Sequence, residues 1–212
     1  AERLYHGQAR AADQFAAPVA EHRLPNLPPL PHDPARARAL LAEAGYPQGF
    51  RLTIHGPNGF FPGDDNLLQA LAQSFTRVGI ETAVETLPPA TLFTRATNRD
   101  FSLFMTYYSS YLTINPMRQV AMTRNPELGH GPFNRQRYSN PAMDEPLAQA
   151  MSTMDPERRE ILTQQAAQAL LDDKGLLPII FLRNIWAAKR DKLTYEPSPV
   201  NHTSAQYARP VP

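Results

Sequence analysis

Between residues 50 and 107 the apolar positions switch between two spacings. Phe50-Arg51-Leu52-Thr53-Ile54-His55 alternates apolar and polar, the period of a strand, and Gly56-Pro57-Asn58-Gly59 breaks it. Leu67, Leu68, Leu71, Phe75 and Val78 recur at helical spacing, which predicts a helix starting at Asp64 or Asp65 and stopped by Gly79. Residues 80–86 predict a second strand. Pro88-Pro89 opens a second helix carrying Leu92, Phe93 and Ala96, and residues 101–107 predict a third strand. A β-α-β-α-β run of this kind implies a parallel sheet with right-handed crossovers. Ligands of such sheets sit outside the carboxyl ends of the strands. The residues delivered there are 55–58, 86–89 and 107–111.

The flanks read differently. Residues 1–6 make a short helical scrap, and Pro25, Pro28, Pro29 and Pro31 favour an extended strap because each fixes φ and restricts its predecessor. Asp33-Pro34 then starts a helix as N-cap and first helical residue; Leu40, Leu41 and Ala44 form its apolar stripe and Gly45 ends it. Residues 108–140 are irregular apart from a helix near 116–124. Helices are predicted over 141–152 and 156–173, one or two strands within 177–188, and a mostly extended tail from Lys189. The expected division is a strap over 1–30, an α/β ligand-binding domain over 31–184 and a return segment over 185–212. Neither strap shows a core of its own.

Composition narrows the function classes. The chain has 212 residues, so a core can form without a disulfide or metal staple. There is no cysteine, which excludes disulfides, thiolate metal sites and a cysteine nucleophile. Twenty-one basic against 20 acidic residues give a net charge of +1 with the signs mixed, unlike a nucleic-acid binder. No apolar run approaches the ~18–20 residues of a membrane span. The first residues lack a signal peptide's apolar stretch and the chain does not begin with Met, so the expectation is a fragment or processed form.

Catalytic signatures are weak. The histidines at 6, 22, 32, 55, 130 and 202 lack metal-ligand spacing, and neither a Gly-x-Ser-x-Gly elbow nor a phosphate-binding glycine loop is present. No cofactor and no metal are implied. Asp64-Asp65 and Asp172-Asp173 read as a helix start and a helix end. Tyr107, Tyr108 and Tyr111 are better candidates, since tyrosine stacks on a small solute and orients it with its hydroxyl. In the long loop Asn134, Arg135 and Arg137 concentrate donors: an arginine fork holds a carboxylate and an asparagine satisfies an amide. His55 and Asn58 join them from the first strand's end. Ser139 and Asn140 read as caps of the following helix. A small hydrolase or transferase using His55 or Asp64 is the rival from another class, and a protein-interaction module is a second.

Several motifs in order carry a resemblance. The stretch from Asp33-Pro34 through Leu40-Leu41-Ala42-Glu43-Ala44-Gly45-Tyr46-Pro47-Gln48-Gly49-Phe50 is similar to the "DPxKAxxLLxEAGYPxGF" signature of family 5 extracellular solute-binding proteins. Val78-Gly79-Ile80, Asp100-Phe101, Arg137-Tyr138-Ser139-Asn140-Pro141, Leu177-Pro178-Ile179-Ile180-Phe181 and Ile185-Trp186 continue it. These are the dipeptide, oligopeptide and nickel-type receptors of ABC importers.

The resemblance implies one lobe of a type II periplasmic-binding-protein-like fold, with a parallel or mixed sheet, helices on both faces and extended straps at both ends. It implies a non-catalytic periplasmic receptor that hands a peptide or peptide-like solute to a membrane permease, and a missing N-terminal lobe carrying the signal peptide. The family's aromatic after the third strand matches Tyr108. The acid that often follows three residues later falls on Tyr111, a departure from the pattern that holds a peptide's amino terminus. The loop Asn134 to Pro141 is similar to a subgroup with "NRxRYSNP".

Overall fold

The computed structural model describes residues 4–28, 31–196, 198 and 202–211; Ala1, Glu2, Arg3 and Pro29, which carry part of the expected amino-terminal scrap and strap, lie outside them. In chain order the strands and helices are β1 (Ala9–Ala11), α1 (Pro34–Glu43), β2 (Phe50–Pro57), α2 (Asp64–Arg77), β3 (Ile80–Leu87), α3 (Pro89–Asn98) and β4 (Leu103–Phe104). There follow α4 (Ile114–Pro116), which runs on into a π-helical turn (Met117–Ala121), then α5 (Pro141–Ser152), α6 (Pro156–Asp172), β5 (Ile180–Leu182), β6 (Leu193–Tyr195) and β7 (Ala208–Pro210). The chain forms two compact units, one of Pro28–Tyr107 and one of Ala1–Leu27 with Tyr108–Pro212.

The first unit holds the three-stranded sheet, in the order β3-β2-β4, with β2 parallel to both neighbours. The chain steps from β2 to one side and then crosses β2 to reach the other. Right-handed crossovers in opposite directions place α2 and α3 on opposite faces. On one face Ile54 and the α2 residues Leu67, Leu68 and Ala72 are buried; on the other Leu92 and Ala96 of α3 are. Gly56 lets α2 come close, since a Cβ there would lie 2.4 Å from Leu68 Cδ1. The third strand is shorter than expected. Only Leu103 and Phe104 pair with β2, and Met105 N–H donates to His55 O at 2.7 Å. The next ladder bond in this register would need an N–H from Pro57, which has none.

The caps follow the sequence. Asp33 accepts from Arg36 N at 2.8 Å, Asn140 from Ala142 N at 2.9 Å, and Asp155 from Glu157 N at 3.0 Å. In α1 the stripe is not buried: no α1 residue is, and Leu40 is 48% exposed.

The second unit is built on the α5–α6 pair. Met143 and Leu147 of α5 pack with Ala166, Ala167 and Leu170 of α6, together with Leu24, with Met117 and Ala121 from the π-helical turn, and with Met122 just after it. The amino-terminal segment is more than a strap. β1 pairs antiparallel with β5, and Ala9, Ala12, Ala16 and Ala20 are buried. Gln14, also buried, exchanges two hydrogen bonds with the Leu24 backbone at 2.9 and 3.0 Å. The buried alanines fall at helical spacing, yet the segment forms no helix, and side chains this small give a weak apolar signal, so the hydropathy pattern does not announce the packing. The carboxyl-terminal tail likewise folds back: β6 pairs antiparallel with β7, and Trp186 packs on Tyr195 and donates to Thr203 Oγ1 at 3.0 Å.

Leu147 has no exposed surface in this core. Leu147→Ala is expected to cost about 2–5 kcal/mol, the transfer loss plus the cavity left behind. Denaturant unfolding of the variant measures it.

Candidate functional site

The strand order fixes where a ligand site belongs. The winding direction reverses between β2 and β4, and open α/β sheets bind ligands at such a reversal, outside the carboxyl ends. Those ends are Pro57-Asn58 on β2 and the residues after Phe104 on β4. Asn58 is exposed there, its backbone N–H held by Leu87 O at 2.9 Å. Tyr107, half-buried, meets Phe61 at 5.6 Å and the edge of Phe60 at 6.3 Å between ring centroids. Phe60 in turn meets Phe93 edge-on at 5.6 Å and is 40% exposed. The sheet edge is therefore faced with aromatic carbon.

The loop that carries Phe60 and Phe61 is anchored from below. Asp64, 3% exposed, accepts from Phe60 N at 2.8 Å and Phe61 N at 3.3 Å through Oδ2, and from Asp65 N at 3.0 Å through Oδ1. Gly59 and Gly63 bracket the two phenylalanines at φ +73° and +77°, values costly for any other residue. Asp64 thus serves as a backbone anchor, and both its oxygens are engaged.

His55 sits one residue back from the edge's Gly56-Pro57 and is 8% exposed. Its ring stacks on Phe101 at 4.1 Å; Nε2 is 3.1 Å from Glu85 Oε2 and Nδ1 3.4 Å from Leu103 O. Arg95 of α3 donates to Glu85 Oε1 at 2.9 Å and lies over the Phe101 ring at 4.7 Å. The Arg95 hydrogen bond holds the Glu85 carboxyl below the usual carboxylate range against partial desolvation, and the charges of Arg95 and His55 add to the effect. This layer ties α3 to the sheet. The acid–base role in the rival enzyme reading falls on two side chains, His55 and Asp64, that are both enclosed and engaged.

The remaining predicted residues lie in the other unit. Tyr108 and Tyr111 are 39% and 38% exposed, and the Tyr111 carbonyl accepts from Glu21 N at 3.0 Å. The Tyr108 phenol is pushed up by burial, while the nearby Arg118 charge and a side-chain hydrogen bond with Gln119 pull it down. Gln119 belongs to the π-helical turn, whose carbonyls are met by the following loop: Gly131 N donates to Arg118 O at 2.9 Å, Phe133 N to Gln119 O at 2.8 Å, and Gln136 Nε2 to Val120 O at 2.8 Å. The turn therefore joins Tyr108 to the loop of Asn134, Arg135 and Arg137.

Asn134 is the keystone of that loop and is 7% exposed. Its Nδ2 donates to Met122 O at 2.9 Å and Tyr138 O at 2.7 Å, and its Oδ1 accepts from Tyr138 N at 3.0 Å. Arg135 lies over the Phe133 ring at 5.2 Å, with its guanidinium pKa lowered by burial, and Arg137 is exposed at φ +57°. Among the described residues, no group of three or more His, Cys, Asp or Glu could hold a metal ion, and no helix is long and apolar enough to cross a membrane.

Sequence reasoning singled out Tyr107 but missed Phe60, Phe61, Phe93 and the anchoring role of Asp64. The Gly-Phe-Phe-Pro-Gly loop directly after a strand was the available signal. Arg118 and Gln119 carry no such signal, because a π-helical turn places them.

The family model for bacterial extracellular solute-binding proteins, family 5 (middle part), matches residues 1–127. The chain belongs to this family. Curated relatives include the glutathione-binding protein GsiB of Pectobacterium atrosepticum, 29% identical over 194 residues, with 85% of this chain and 37% of the relative covered. The GsiB of Escherichia coli K12 is 28% identical over 162 residues, 72% of this chain and 30% of the relative. The chain thus spans only a part of these relatives. Among solved structures, the dipeptide-binding protein of Pseudoalteromonas sp. SM9913 in complex with Met-Leu superposes with a TM-score of 0.79 at 19% identity, covering 99% of this chain and 42% of that one. The oligopeptide-binding protein of Thermus thermophilus, complexed with a pentapeptide, gives 0.76 at 22% identity, with 99% and 39% covered. These likenesses show that the chain shares the α/β fold of the matching part of those proteins.

The Glu85 pairing makes a pH-dependent contribution. Because its native pKa is depressed, the stabilisation is present above the ordinary carboxylate range and is lost as pH falls through the native value. Glu85→Gln is expected to melt below wild type at neutral pH, with the gap closing in acid. Thermal melts across a pH series check this, and a gap independent of pH would contradict it.

Proposed function

We propose that this chain forms most of one lobe of a periplasmic receptor that captures a peptide or peptide-like solute and delivers it to the permease of an ABC importer. The family match across residues 1–127 carries the reading. In the proposal this chain belongs to the ligand-binding lobe, residues 4–27 included through their packing on α5 and α6, and a second, N-terminal lobe of the full-length receptor completes the cleft. A signal peptide on that part would export the receptor.

The mechanism is capture without chemistry. The solute contacts both lobes only when they close, so binding shifts an open–closed equilibrium by its differential affinity for the closed state. In the first unit, taken by itself, the aromatic edge with Tyr107 and Asn58 is the contact surface of the proposal; Tyr108, Tyr111, Arg135 and Arg137 are candidate contacts within the second unit, taken by itself. His55 and Asn134 support these surfaces through the bonds described above. Tyr111 stands where relatives often carry an acid, so the solute's amino terminus finds no carboxylate at that position. The names of the curated relatives make glutathione, a tripeptide with an unusual first linkage, a reasonable member of the solute panel. With half of the contacts absent, the isolated chain should bind a millimolar ligand at best, since half of a micromolar complex's ~8 kcal/mol is about 4 kcal/mol.

Native mass spectrometry of the whole receptor, purified from its host's periplasm without refolding, tests the proposal. The expected result is one retained small mass, released chemically unchanged on denaturation. Conversion of the solute, or a bare protein that no di- or tripeptide and no glutathione stabilises, would contradict it.

A further inference from the structure

We infer that the loop between β2 and α2 is a preorganised aromatic shelf for an apolar side chain of the solute, with Asp64 as its positioning residue. The inference rests on the proposed receptor function and adds the class of solute side chain.

Three observations converge. The shelf lies at the reversal of strand order, where the sheet's ligand edge is. Its surface is Phe60, 40% exposed, braced edge-on by Phe93 and Tyr107, and these three rings bring no formal charge to the edge. Asn58, exposed beside it on the same strand end, is neutral as well. A charged solute terminus would gain little here, whereas an aryl or branched aliphatic side chain would bury carbon on carbon and find ring edges at the spacing aromatic pairs favour.

An exposed phenylalanine on a loose loop would lose much of this gain to ordering. Here the ordering is already in place. Phe60 and Phe61 both give their backbone N–H groups to one buried carboxylate, and the left-handed Gly59 and Gly63 set the direction of the loop. Asparagine in place of Asp64 has the same shape but only one acceptor oxygen, and its NH2 group would face N–H donors. The shelf would loosen while α2 keeps its apolar face of Leu67, Leu68 and Ala72.

The test is isothermal titration of the whole receptor with matched di- and tripeptides that differ only in phenylalanine against alanine. Wild type is expected to prefer the phenylalanine peptides about tenfold, the equivalent of ~1.4 kcal/mol. Phe60→Ala should bring the ratio close to one, with the phenylalanine peptides losing more affinity than the alanine peptides. Asp64→Asn should lower the ratio and speed amide exchange at Phe60 and Phe61; should it not fold, Phe60→Ala decides alone. Equal wild-type affinity for both peptide sets, or a preference that survives Phe60→Ala, overturns the inference and leaves the receptor reading standing. Failure of every peptide to bind overturns the peptide reading, and the inference with it.

Discussion

Strand β2 is hydrogen-bonded on both sides, and the candidate edge at its carboxyl end depends on that double pairing. Eight residues of β2 register with β3, whereas only Ile54 and His55 register with β4. The inequality has a local cause. N–H groups on one side of β2 serve β3 through Asn58, while on the other side Pro57 has none to give. The β4 ladder stops there, and the chain after Phe104 leaves the sheet with Tyr107 against the Phe60–Phe61 loop. One missing donor thus opens the edge where the winding reverses.

The same strand organises the layers behind that edge. Gly56 admits Leu68 on the α2 face, and His55 on the opposite face gathers Phe101, Glu85 and Arg95. The polar group nearest the edge is therefore already committed to holding α3. In the second unit Asn134 does comparable work, since its amide closes the loop that rests on the π-helical turn. Both residues were chosen from sequence as ligand contacts because their chemistry suits it. The structure gives their polar atoms to the frame of each unit.

Elements were legible where spacing and punctuation agreed. Asp33-Pro34, Asn140-Pro141 and Asp155-Pro156 marked three helix starts because a side-chain acceptor followed by proline has few other uses. The β-α-β-α-β order was legible from alternating periods. Strand β4 was overestimated, because apolar alternation over residues 101–107 says nothing about whether a neighbour has donors to offer. The packing of residues 4–27 was hidden by its alanines, and the β6–β7 ribbon by the prolines of the tail. Tyrosines at the third strand's end stand out from sequence by position and chemistry, while Phe60 in the loop after β2 has no polar group to mark it. Only the Asp64 anchor and the ring edges of Phe93 and Tyr107 give it a role.

The most direct test of the account is a crystal structure of the whole receptor with its native solute retained. The account predicts electron density for the solute against the carboxyl ends of β2 and β4, with Phe60 or Tyr107 in van der Waals contact. A solute held entirely by other elements, with residues 57–61 and 104–107 untouched, would contradict it.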